Sequence, residues 1–489
     1  MASVEEITNL IIRGVNEEEK EFIMRAYKFA ERVHEGQKRL SGEPYFIHVF
    51  ETAKILASLN MDVKTIVGGL LHDVLENTKV IEKEIEDEFG TEILFLVNNV
   101  TKLRALKYRG HERYAESLRK FFMVIASDLH VAIIKFADRL HNLRTLEFLP
   151  EEKRERIAIE SIEVYAPLAN RLGMGKLKSE IEDAAFLYAY PKEHMQAEKI
   201  IKEKKESYQK YLNEIKKELE KELHKNKIKV VEIDYRLKHK YSLWKKLVKY
   251  QMDLEKIYDI VALRVIVESV EECYRVLGII HSIWNPLPGR IKDYIALPKL
   301  NTYRSIHTTI FTGSGETAEI QIRTKEMHIE ADYGVAAHFA YKESGSKETM
   351  SEKLKFKWLE ELKGLNYASD ESTNFLEHLK MDFFSDRIFV FTPDGDVIDL
   401  PENSIPIDFA YAIHSDIGDH TAGVKINGKM SNTFSKLKNR DIVEIITNKN
   451  AHPSSKWLGY VKTTIAKKQI RSYLEKNSLL AKLKSFGRS

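Results

Sequence analysis

Apolar positions along the first part of the chain recur at helical spacing. In residues 65–79 (TIVGGLLHDVLENTK) and 131–146 (VAIIKFADRLHNLRTL) the polar side chains fall in one sector of an otherwise apolar helix. A charged segment at 193–227 also has helical spacing and contains neither Pro nor Gly. It predicts a solvated connecting helix.

Strand-like runs follow this charged segment. Residues 228–237 (IKVVEIDYRL) and 257–267 (IYDIVALRVIV) are rich in β-branched residues, and residues 318–324 alternate Glu319, Gln321 and Arg323 onto one face. The middle of the chain is therefore predicted to be a mixed α/β domain.

The C-terminal part predicts a small β-grasp fold. Residues 343–353 are predicted to be a loop or linker, with a helical stretch to about residue 380. Two strands then flank a Pro-Asp-Gly turn in 387–401, and a helix is predicted over 406–418. An Asn-Gly hairpin turn at 427–428 and a strand at 441–447 complete the pattern.

Composition narrows the class of protein. A length of 489 residues suits about two to four domains, and a net charge of +3 leaves only local basic clusters for nucleic acid. A lone Cys273 excludes a disulfide framework and agrees with a reducing cytoplasm. The N-terminus lacks the pattern of a signal peptide, and no apolar run is long enough for a membrane span. We therefore expect a cytoplasmic protein with no membrane partner.

A first candidate site comprises four ligand-type residues on helical segments. They are His48, the His72-Asp73 pair and Asp138. Burying a tandem His-Asp is costly without a partner, and a divalent metal ion would satisfy all four. Because none is Cys, a harder ion such as Mn²⁺ or Mg²⁺ is favoured over structural zinc. The alternative is a set of polar residues on helix surfaces.

A second candidate site combines cations with carboxylates. Residues 235–247 (YRLKHKYSLWKKL) surround aromatic residues with basic ones, which suits a triphosphate or a nucleic acid but also an ordinary solvated face. Asp259 and Glu319 fall on strand-like runs. Two converging carboxylates commonly hold a Mg²⁺ that also binds phosphates, although each alone could be an edge-strand charge.

Three segments resemble the HD-hydrolase half of RelA/SpoT-homologue enzymes, the (p)ppGpp hydrolase/synthetase family. They are residues 39–48 (RLSGEPYFIH), 70–78 (LLHDVLENT) and 136–146 (FADRLHNLRTL). The resemblance implies an all-α domain in which His48, His72, Asp73 and Asp138 hold one Mn²⁺. It also implies that Arg39 and Asn142 contact the nucleotide, with Thr145 close by. The implied reaction removes pyrophosphate from the 3′ position of ppGpp or pppGpp.

One departure from the family pattern concerns the expected acid/base group. Relatives carry Glu-Asp after the His-Asp pair, whereas this chain has Glu76-Asn77, and Leu40 replaces a usual Lys. An Asn side chain can orient a water but cannot accept its proton, so we expect Glu76 to take that role. We expect a working, even if slow, hydrolase. The alternative is a synthetase with an impaired hydrolase, which Asn77→Asp would restore.

Residues 289–310 (GRIKDYIALPKLNTYRSIHTTI) resemble the nucleotidyltransferase-like synthetase domain of the same family. The resemblance implies that Asp259 and Glu319 bind Mg²⁺ and that Glu319 helps to deprotonate the attacking 3′-hydroxyl. The implied reaction transfers pyrophosphate from ATP to GDP or GTP. The implied nucleotide contacts are Arg236 and Arg264 on adenine, Lys238 and Lys246 on the ATP phosphates, Tyr303 stacked on guanine, and Asn301, His307 and Gln321 near the acceptor.

Details of this second segment bear on how the chain works. The run from Arg290 to Asp293 matches the basic motif of bifunctional members, while Thr302 replaces a usual Gly. Strict alternation also puts Asp259 and Arg264 on opposite faces of one strand, so one of them must act from a strand end or through a bulge.

The C-terminal residues resemble a TGS domain, in which His414 matches a position expected to contact the 3′ end of deacylated tRNA. A plain interaction module is the alternative. Residues 436–489 hold 13 Lys or Arg against three acids, which suits either a solubilising end or RNA phosphates. We expect a short form without the family's zinc-finger and ACT modules, for which stable ribosome engagement is doubtful.

These observations predict a multidomain, bifunctional alarmone enzyme of the stringent response. The predicted parts are a hydrolase domain at 1–175, a synthetase domain with its connecting helices at 176–345, a linker and helix at 346–384, a TGS domain at 385–448 and a basic helical tail at 449–489. A tRNA- or ribosome-binding stress sensor is a further alternative. We also hypothesise reciprocal control of the two activities, with the 193–227 helix or its neighbours as the coupling element.

Overall fold

A computed structural model describes residues 3–11, 14–104, 128–299, 301–312, 317–337 and 387–486. The described residues up to 337 belong to one compact unit, and residues 387–486 belong to a second. The predicted linker and helix at 346–384 lie outside the described residues.

The first unit begins with helices packed around an apolar core that includes Phe50, Leu56, Ile66 and Phe136. These helices span Val4–Thr8, Glu17–Val33, Phe46–Ser58, Val63–Leu71, Val74–Asn77, Glu82–Phe89, Thr91–Arg104, Leu129–Arg144, Glu151–Glu160, Ala166–Arg171 and Gly175–Ala189, with a short 3₁₀ turn at Leu146–Phe148 and a π-helical turn at Ser161–Tyr165.

The helix predicted across 65–79 is interrupted at the His-Asp pair. Val63–Leu71 ends at His72, and a separate short helix, Val74–Asn77, begins after Asp73. The prediction of one continuous helix is therefore wrong. The interruption turns both polar side chains toward the interior, where each is about 1% exposed.

The long helix Pro191–Lys225 confirms the helical prediction for 193–227, but it is not solvated all round. Leu212, Leu219 and Leu223 are fully buried in the core of the following domain. Their spacing places them on one stripe of the helix. The charged residues between them hid this stripe in the sequence pattern.

A five-stranded sheet with the order β1-β2-β5-β4-β3 forms the centre of this domain. Its strands are β1 Val230–Leu237, β2 Val261–Val267, β3 Lys292–Asp293, β4 Ile306–Phe311 and β5 Thr317–Thr324. The pair β2–β5 is parallel and the other pairs are antiparallel. The accompanying helices are Lys240–Lys249, Val270–Ile283 and Lys325–Tyr333. The sheet is mixed because β5 runs parallel to β2 on one side and antiparallel to β4 on the other.

The second unit contains two small sheets, β6–β7 and β10-β8-β9. Its strands are β6 Arg387–Phe391, β7 Val397–Pro401, β8 Thr421–Ile426, β9 Lys429–Ser431 and β10 Val443–Thr447, and its helices are Pro406–Ile413, Ser415–Asp419 and Thr464–Phe486. The predicted hairpin turn is confirmed, since Asn427 and Gly428 have φ of 52° and 77°. The helix predicted over 406–418 is divided at His414, which has extended backbone and caps the second piece.

None of the helices in the described part of the chain combines the length and the apolar character that a membrane crossing requires.

Candidate functional site

Three helical segments bring His48, His72, Asp73 and Asp138 together in the interior of the first unit. The Nε2 atom of His48 lies 3.3 Å from Asp138 Oδ1 and 3.6 Å from Asp73 Oδ2. The Nε2 atom of His72 lies 3.4 Å from Asp73 Oδ1 and 4.0 Å from Asp138 Oδ1. The four residues that the sequence singled out therefore converge on one point.

The donor set fits a divalent metal ion. Ligand atoms of His48, His72 and Asp138 all lie within 4.8 Å of one another. His72 Nδ1 is 2.7 Å from the carbonyl oxygen of Gly69, to which it can only donate, so Nε2 carries the lone pair. Among the described residues this buried Nε2 has no hydrogen-bond partner. A metal ligand in the correct tautomer would have these contacts.

The protonation states of the group also suit metal binding. Burial lowers the pKa of His48, which favours the neutral imidazole. Burial alone would raise the pKa of Asp138, but the charge of Lys135 and the hydrogen bond to His48 outweigh it, and the pKa falls well below its usual value. Neutral histidine and ionised aspartate are the forms that bind metals.

A polar cluster lies beside the metal-binding residues. Arg39 Nη2 donates to Asn142 Oδ1 at 2.6 Å, and Nη1 donates to Thr145 Oγ1 at 3.1 Å. Asn142 Nδ2 in turn donates to Asp138 Oδ1. The structure thus joins the three predicted substrate-contact residues to each other and to a predicted ligand.

Glu76 and Asn77 occupy different environments. Both line a cavity with Gln37 and Thr78, but Glu76 is exposed and Asn77 is half-buried. Asn77 Nδ2 donates to the hydroxyl of Tyr45 at 2.9 Å.

Three residues near the metal group escaped the sequence interpretation: Tyr45, Lys135 and His141. Tyr45 donates to Asp73 Oδ2, Lys135 Nζ lies 2.5 Å from Asp138 Oδ2, and His141 Nδ1 lies 2.8 Å from His48 Nδ1. Each lies three residues from a predicted ligand, since Tyr45 precedes His48 while Lys135 and His141 flank Asp138. That spacing on one helix face was the available signal.

In the domain built on the five-stranded sheet, one hydrogen-bonded network contains several of the predicted nucleotide residues. Glu319 lies 3.2 Å from His307 Nδ1 and accepts from Gln321 Nε2 at 2.8 Å. Gln321 Oε1 accepts from Arg236 at 2.9 Å, and His307 Nε2 lies 2.8 Å from the hydroxyl of Tyr303. These side chains project from β1, β4 and β5 and from the loop before β4.

The other predicted magnesium ligand, Asp259, lies two residues before β2 and so acts from a strand end. Its Oδ2 accepts from Lys246 Nζ at 2.6 Å and also from Lys238. Burial would raise the pKa of Asp259, but the two ammonium charges lower it strongly. Burial and the charge of Asp259 act to raise the pKa of Glu319, but the contacts with His307 and Gln321 outweigh them and lower it.

Two predicted nucleotide residues have other partners. Arg264 Nε donates to Asp234 Oδ1 at 2.9 Å across the β1–β2 pair, and it does not share the partner of Arg236. Asn301 lies 3.4 Å from Asn170 of the helical domain. Among the described residues, no hydrogen bond joins Arg264 to the network around Glu319, whereas Asn301 reaches it through the backbone N–H of Tyr303, which donates to Asn301 Oδ1 at 3.4 Å.

Positively charged side chains lie against the ring of Tyr303. Lys299 and Arg323 lie over its ring, with the Lys299 nitrogen 5.0 Å from the ring centre. Burial raises the pKa of Tyr303, but the charges of His307, Arg323 and Arg236 outweigh it and lower the pKa to about 7. Lys299 was not anticipated, and burial lowers its pKa to about 8.

His414 lies in the second unit. It is exposed, and its Nδ1 accepts from the backbone N–H of Asp416 at 3.2 Å. This contact caps the short helix Ser415–Asp419.

Comparison with known proteins matches three parts of the chain to described domains. The profile of the HD domain matches residues 26–175, that of a region found in RelA/SpoT proteins matches 235–346, and that of the TGS domain matches 388–447. The predicted multidomain fold class is thereby confirmed: a helical HD domain, a synthetase region built on a mixed sheet, and a TGS domain containing strands.

Curated relatives match nearly the whole chain. A guanosine-3′,5′-bis(diphosphate) 3′-pyrophosphohydrolase of Aquifex aeolicus is 46% identical over 93% of this chain and 65% of its own length. A protein of the same name from Borreliella burgdorferi is 42% identical over 94% of this chain and 69% of its own length. The bifunctional (p)ppGpp synthase/hydrolase SpoT of Escherichia coli is 40% identical over 96% and 67%, respectively.

The chain spans only 55–65% of the length of six relatives, including the Aquifex protein. The Borreliella and Escherichia proteins are matched over two thirds of their length or more at 40–42% identity. Together with the three domain matches, this similarity shows that the chain belongs to the RelA/SpoT family.

Proposed function

We propose that this chain is a bifunctional alarmone enzyme. One site would hydrolyse ppGpp or pppGpp to GDP or GTP and pyrophosphate, as a guanosine-3′,5′-bis(diphosphate) 3′-pyrophosphohydrolase. The other would transfer pyrophosphate from ATP to the 3′-OH of GDP or GTP, as a GTP/GDP pyrophosphokinase. The observation that carries the proposal is the convergence of His48, His72, Asp73 and Asp138 beside Arg39, with a buried His72 nitrogen left to accept a metal ion.

In the hydrolase site, His48, His72, Asp73 and Asp138 would hold one Mn²⁺. A bound divalent ion supplies a water of lowered pKa and offsets phosphate charge. Arg39 can bind a phosphate oxygen because its guanidinium is fixed by Asn142 and Thr145. Glu76 is the exposed carboxylate on the neighbouring turn and would accept the proton of the attacking water.

The test is hydrolysis of ppGpp by the full chain with Mn²⁺, beside a His72→Ala variant. We expect turnover in the wild type and its loss in His72→Ala, because the variant lacks one ligand. An exposed histidine, His224, provides a matched control: His224→Ala should retain the wild-type rate. Absence of turnover in the wild type would contradict the hydrolase proposal and favour a synthetase with an impaired hydrolase.

In the synthetase site, Asp259 and Glu319 would hold Mg²⁺, and Lys238 and Lys246 would move from Asp259 to the phosphates of ATP. Glu319 would also draw the proton from the attacking 3′-hydroxyl, aided by His307 at 3.2 Å. The transfer itself requires mainly positioning and neutralisation of charge, and these cations supply both.

The synthetase is tested by following formation of pppGpp from ATP and GTP with Mg²⁺. We expect Glu319→Gln to lower the rate by at least about 100-fold, because it removes a metal ligand and a proton acceptor. Glu326→Gln changes an exposed carboxylate on the next helix and should have no effect. Equal rates in the two variants would overturn the role of Glu319.

A role for the second unit in sensing deacylated tRNA is supported by the TGS match and by the exposed position of His414. We expect deacylated tRNA to bind the full chain more weakly after His414→Ala. The neighbouring exposed Ile413→Ala is the control. Equal affinity in wild type and His414→Ala would remove this residue from the proposed contact, and ribosome binding would need another surface.

A further inference from the structure

Asn77 is connected to the metal-binding group through Tyr45. The side-chain amide of Asn77 donates to the Tyr45 hydroxyl at 2.9 Å, and that hydroxyl donates to Asp73 Oδ2 at 2.5 Å. The other oxygen of Asp73, Oδ1, faces His72 Nε2 at 3.4 Å. Asp73 Oδ2 also lies 3.6 Å from His48 Nε2, so both oxygens face proposed metal ligands, but only Oδ2 has its lone pair taken up by the phenol.

Several contacts hold this arrangement in place. Gln37 Nε2 donates to the backbone carbonyl of Asn77 at 2.7 Å, and Gln37 Oε1 lies 2.9 Å from His34 Nδ1. The ring of His34 stacks on the ring of Tyr45, with centroids 5.0 Å apart and planes 28° apart. Asn77 and Tyr45 are therefore held against each other from both sides, and the amide is directed at the phenol.

The chemistry of position 77 decides where the phenol proton goes. Tyr45 has one proton to donate and lone pairs that accept. With Asn at 77, the phenol accepts from the amide and its proton is left for Asp73. An ionised Asp at 77 has no proton to donate, so two carboxylates would compete for the single phenol proton.

We propose that Asn77 and Tyr45 are positioning residues for the metal ligand Asp73, in which the Asn77 amide directs the Tyr45 hydroxyl so that Asp73 presents Oδ1 to the metal ion. The proposal rests on the proposed hydrolase metal site. It gives the departure from the family's Glu-Asp pattern a purpose in this chain: Asn77 orders a ligand of the ion, and its amide is more than the loss of a proton acceptor. Asn77→Asp is then not a restoring substitution.

The test measures Mn²⁺ affinity by calorimetric titration of four full-length proteins: wild type, Asn77→Asp, Tyr45→Phe and the double variant. The His72→Ala isotherm is subtracted to remove ions bound elsewhere. With Tyr45 in place, we expect Asn77→Asp to weaken Mn²⁺ binding about tenfold, as is usual when a partner of a metal ligand is lost. Tyr45→Phe alone should weaken it by a similar factor.

The decisive comparison is the same substitution in the Tyr45→Phe background. There the phenol proton is absent, so Asn77→Asp only adds a negative charge near a cation and should leave the affinity unchanged or tighten it. A loss of affinity that appears only when Tyr45 is present supports the proposal. An equal effect of Asn77→Asp in both backgrounds, or tighter binding with Tyr45 in place, would overturn it.

Two controls separate the possible failures. Tyr27→Phe removes a phenol oxygen elsewhere in the same helical core, where Tyr27 packs on Phe46 and Phe50, and should leave the Mn²⁺ affinity unchanged. Thermal unfolding of each variant without metal reports any loss of folding.

The outcomes distinguish the two proposals. If the wild type gives no Mn²⁺ isotherm beyond that of His72→Ala, the proposed metal site is contradicted, and the positioning role with it. If the wild type binds but the cycle is additive, only the positioning role fails.

Discussion

His130 lies between Asp62 and Asp128, each of which is the N-cap residue of a helix. Its Nδ1 is 2.9 Å from Asp128 Oδ1, and its Nε2 is 3.4 Å from Asp62 Oδ2. Asp62 caps Val63–Leu71 and Asp128 caps Leu129–Arg144, two helices that carry or adjoin proposed metal ligands. Burial lowers the pKa of His130, but the two aspartates outweigh it and raise the pKa to about 9. The imidazolium therefore joins the starts of two helices.

This pair of contacts predicts a pH-dependent stability. Because the pKa of histidine is about 6.5 in the unfolded chain and about 9 in the folded one, the stabilisation is complete below about pH 6.5 and is lost as the pH rises through about 9. We expect His130→Gln to lower the free energy of unfolding by about 2 kcal/mol at pH 6, allowing for partial solvent screening, and by much less at pH 10.

Urea unfolding at the two pH values measures the difference between wild type and His130→Gln. His224→Gln, at an exposed helical position, is the control and should show no such pH dependence. A difference that grows with pH would contradict the role of the two aspartates.

At the residue scale, helical spacing predicted which side chains share a helix face, and ligand chemistry grouped the four proposed metal ligands across helices, but neither predicted the hydrogen-bond partners of those ligands. Asp138, Asn142 and Thr145 could be grouped because their spacing is local. Tyr45 and Asp73 are 28 residues apart and meet only after the helices pack. No spacing rule for a single helix or strand contains that information.

At the scale of elements, the loop before β4 carries an unusual backbone conformation. Thr302 has φ of 60°, a region that β-branched residues rarely adopt, and it is only 6% exposed. Its N–H donates to the carbonyl of Lys299 at 2.7 Å. The loop that presents Tyr303 is therefore closed around a residue with an unfavourable φ.

This conformation predicts that Thr302→Gly stabilises the protein, since glycine adopts positive φ without the steric cost. We expect the free energy of unfolding to rise by about 1 kcal/mol. Thr309→Gly, inside β4, is the matched control and should destabilise by about the same amount. Chemical denaturation measures both, and a loss of stability in Thr302→Gly would contradict the strain.

The elements themselves were largely predictable, and the exceptions have local physical causes. The alternation in 318–324 predicted β5 because successive side chains of a strand point to opposite faces, although in this central strand Gln321 and Arg323 on the polar face are buried as well. The interruption at His72-Asp73 was missed because the apolar period runs through it without a Pro or Gly to mark it. The buried stripe on Pro191–Lys225 was missed because charge dominates that segment.

At the scale of the first unit, a tight backbone contact joins the helical domain to the domain built on the sheet. The N–H of Val335 donates to the carbonyl of Leu172 at 3.0 Å. Gly334 has φ of 56°, and a Cβ there would lie 2.3 Å from the Leu172 oxygen and 2.6 Å from the Met174 nitrogen. Only glycine permits this approach.

Gly334→Ala should therefore separate these backbones. Gly289→Ala is a matched control, because Gly289 also has a positive φ of 72° but a Cβ there would meet no described atom within 4 Å. Both variants incur the cost of positive φ, and only Gly334→Ala incurs the clash. We expect the melting temperature to fall further in Gly334→Ala than in Gly289→Ala. The extra fall should correspond to a further loss of about 2 kcal/mol in the free energy of unfolding. Equal melting temperatures would contradict the contact.

Reciprocal control of the two activities remains a hypothesis, and the structure offers a neighbour of the 193–227 helix for it. Asp183, on Gly175–Ala189, accepts from the Tyr241 N–H at 3.0 Å, and buried Glu182 accepts from Lys245 at 2.9 Å. This helix therefore contacts the segment that carries Lys246. We expect a nucleotide bound in one site to change the rate at the other, and Asp183→Asn to weaken the coupling. Independent rates in the wild type would contradict it.

The position of β5 between β2 and β4 has a consequence for biosynthesis. A chain emerging from its N-terminus completes the helices around His48 and Asp138 by about residue 189. The sheet cannot close until Thr324 has been made, because its central strand is the last of the five to appear. If the proposed activities hold, the half that degrades the alarmone is assembled before the half that produces it, and an interrupted translation product could only remove the signal.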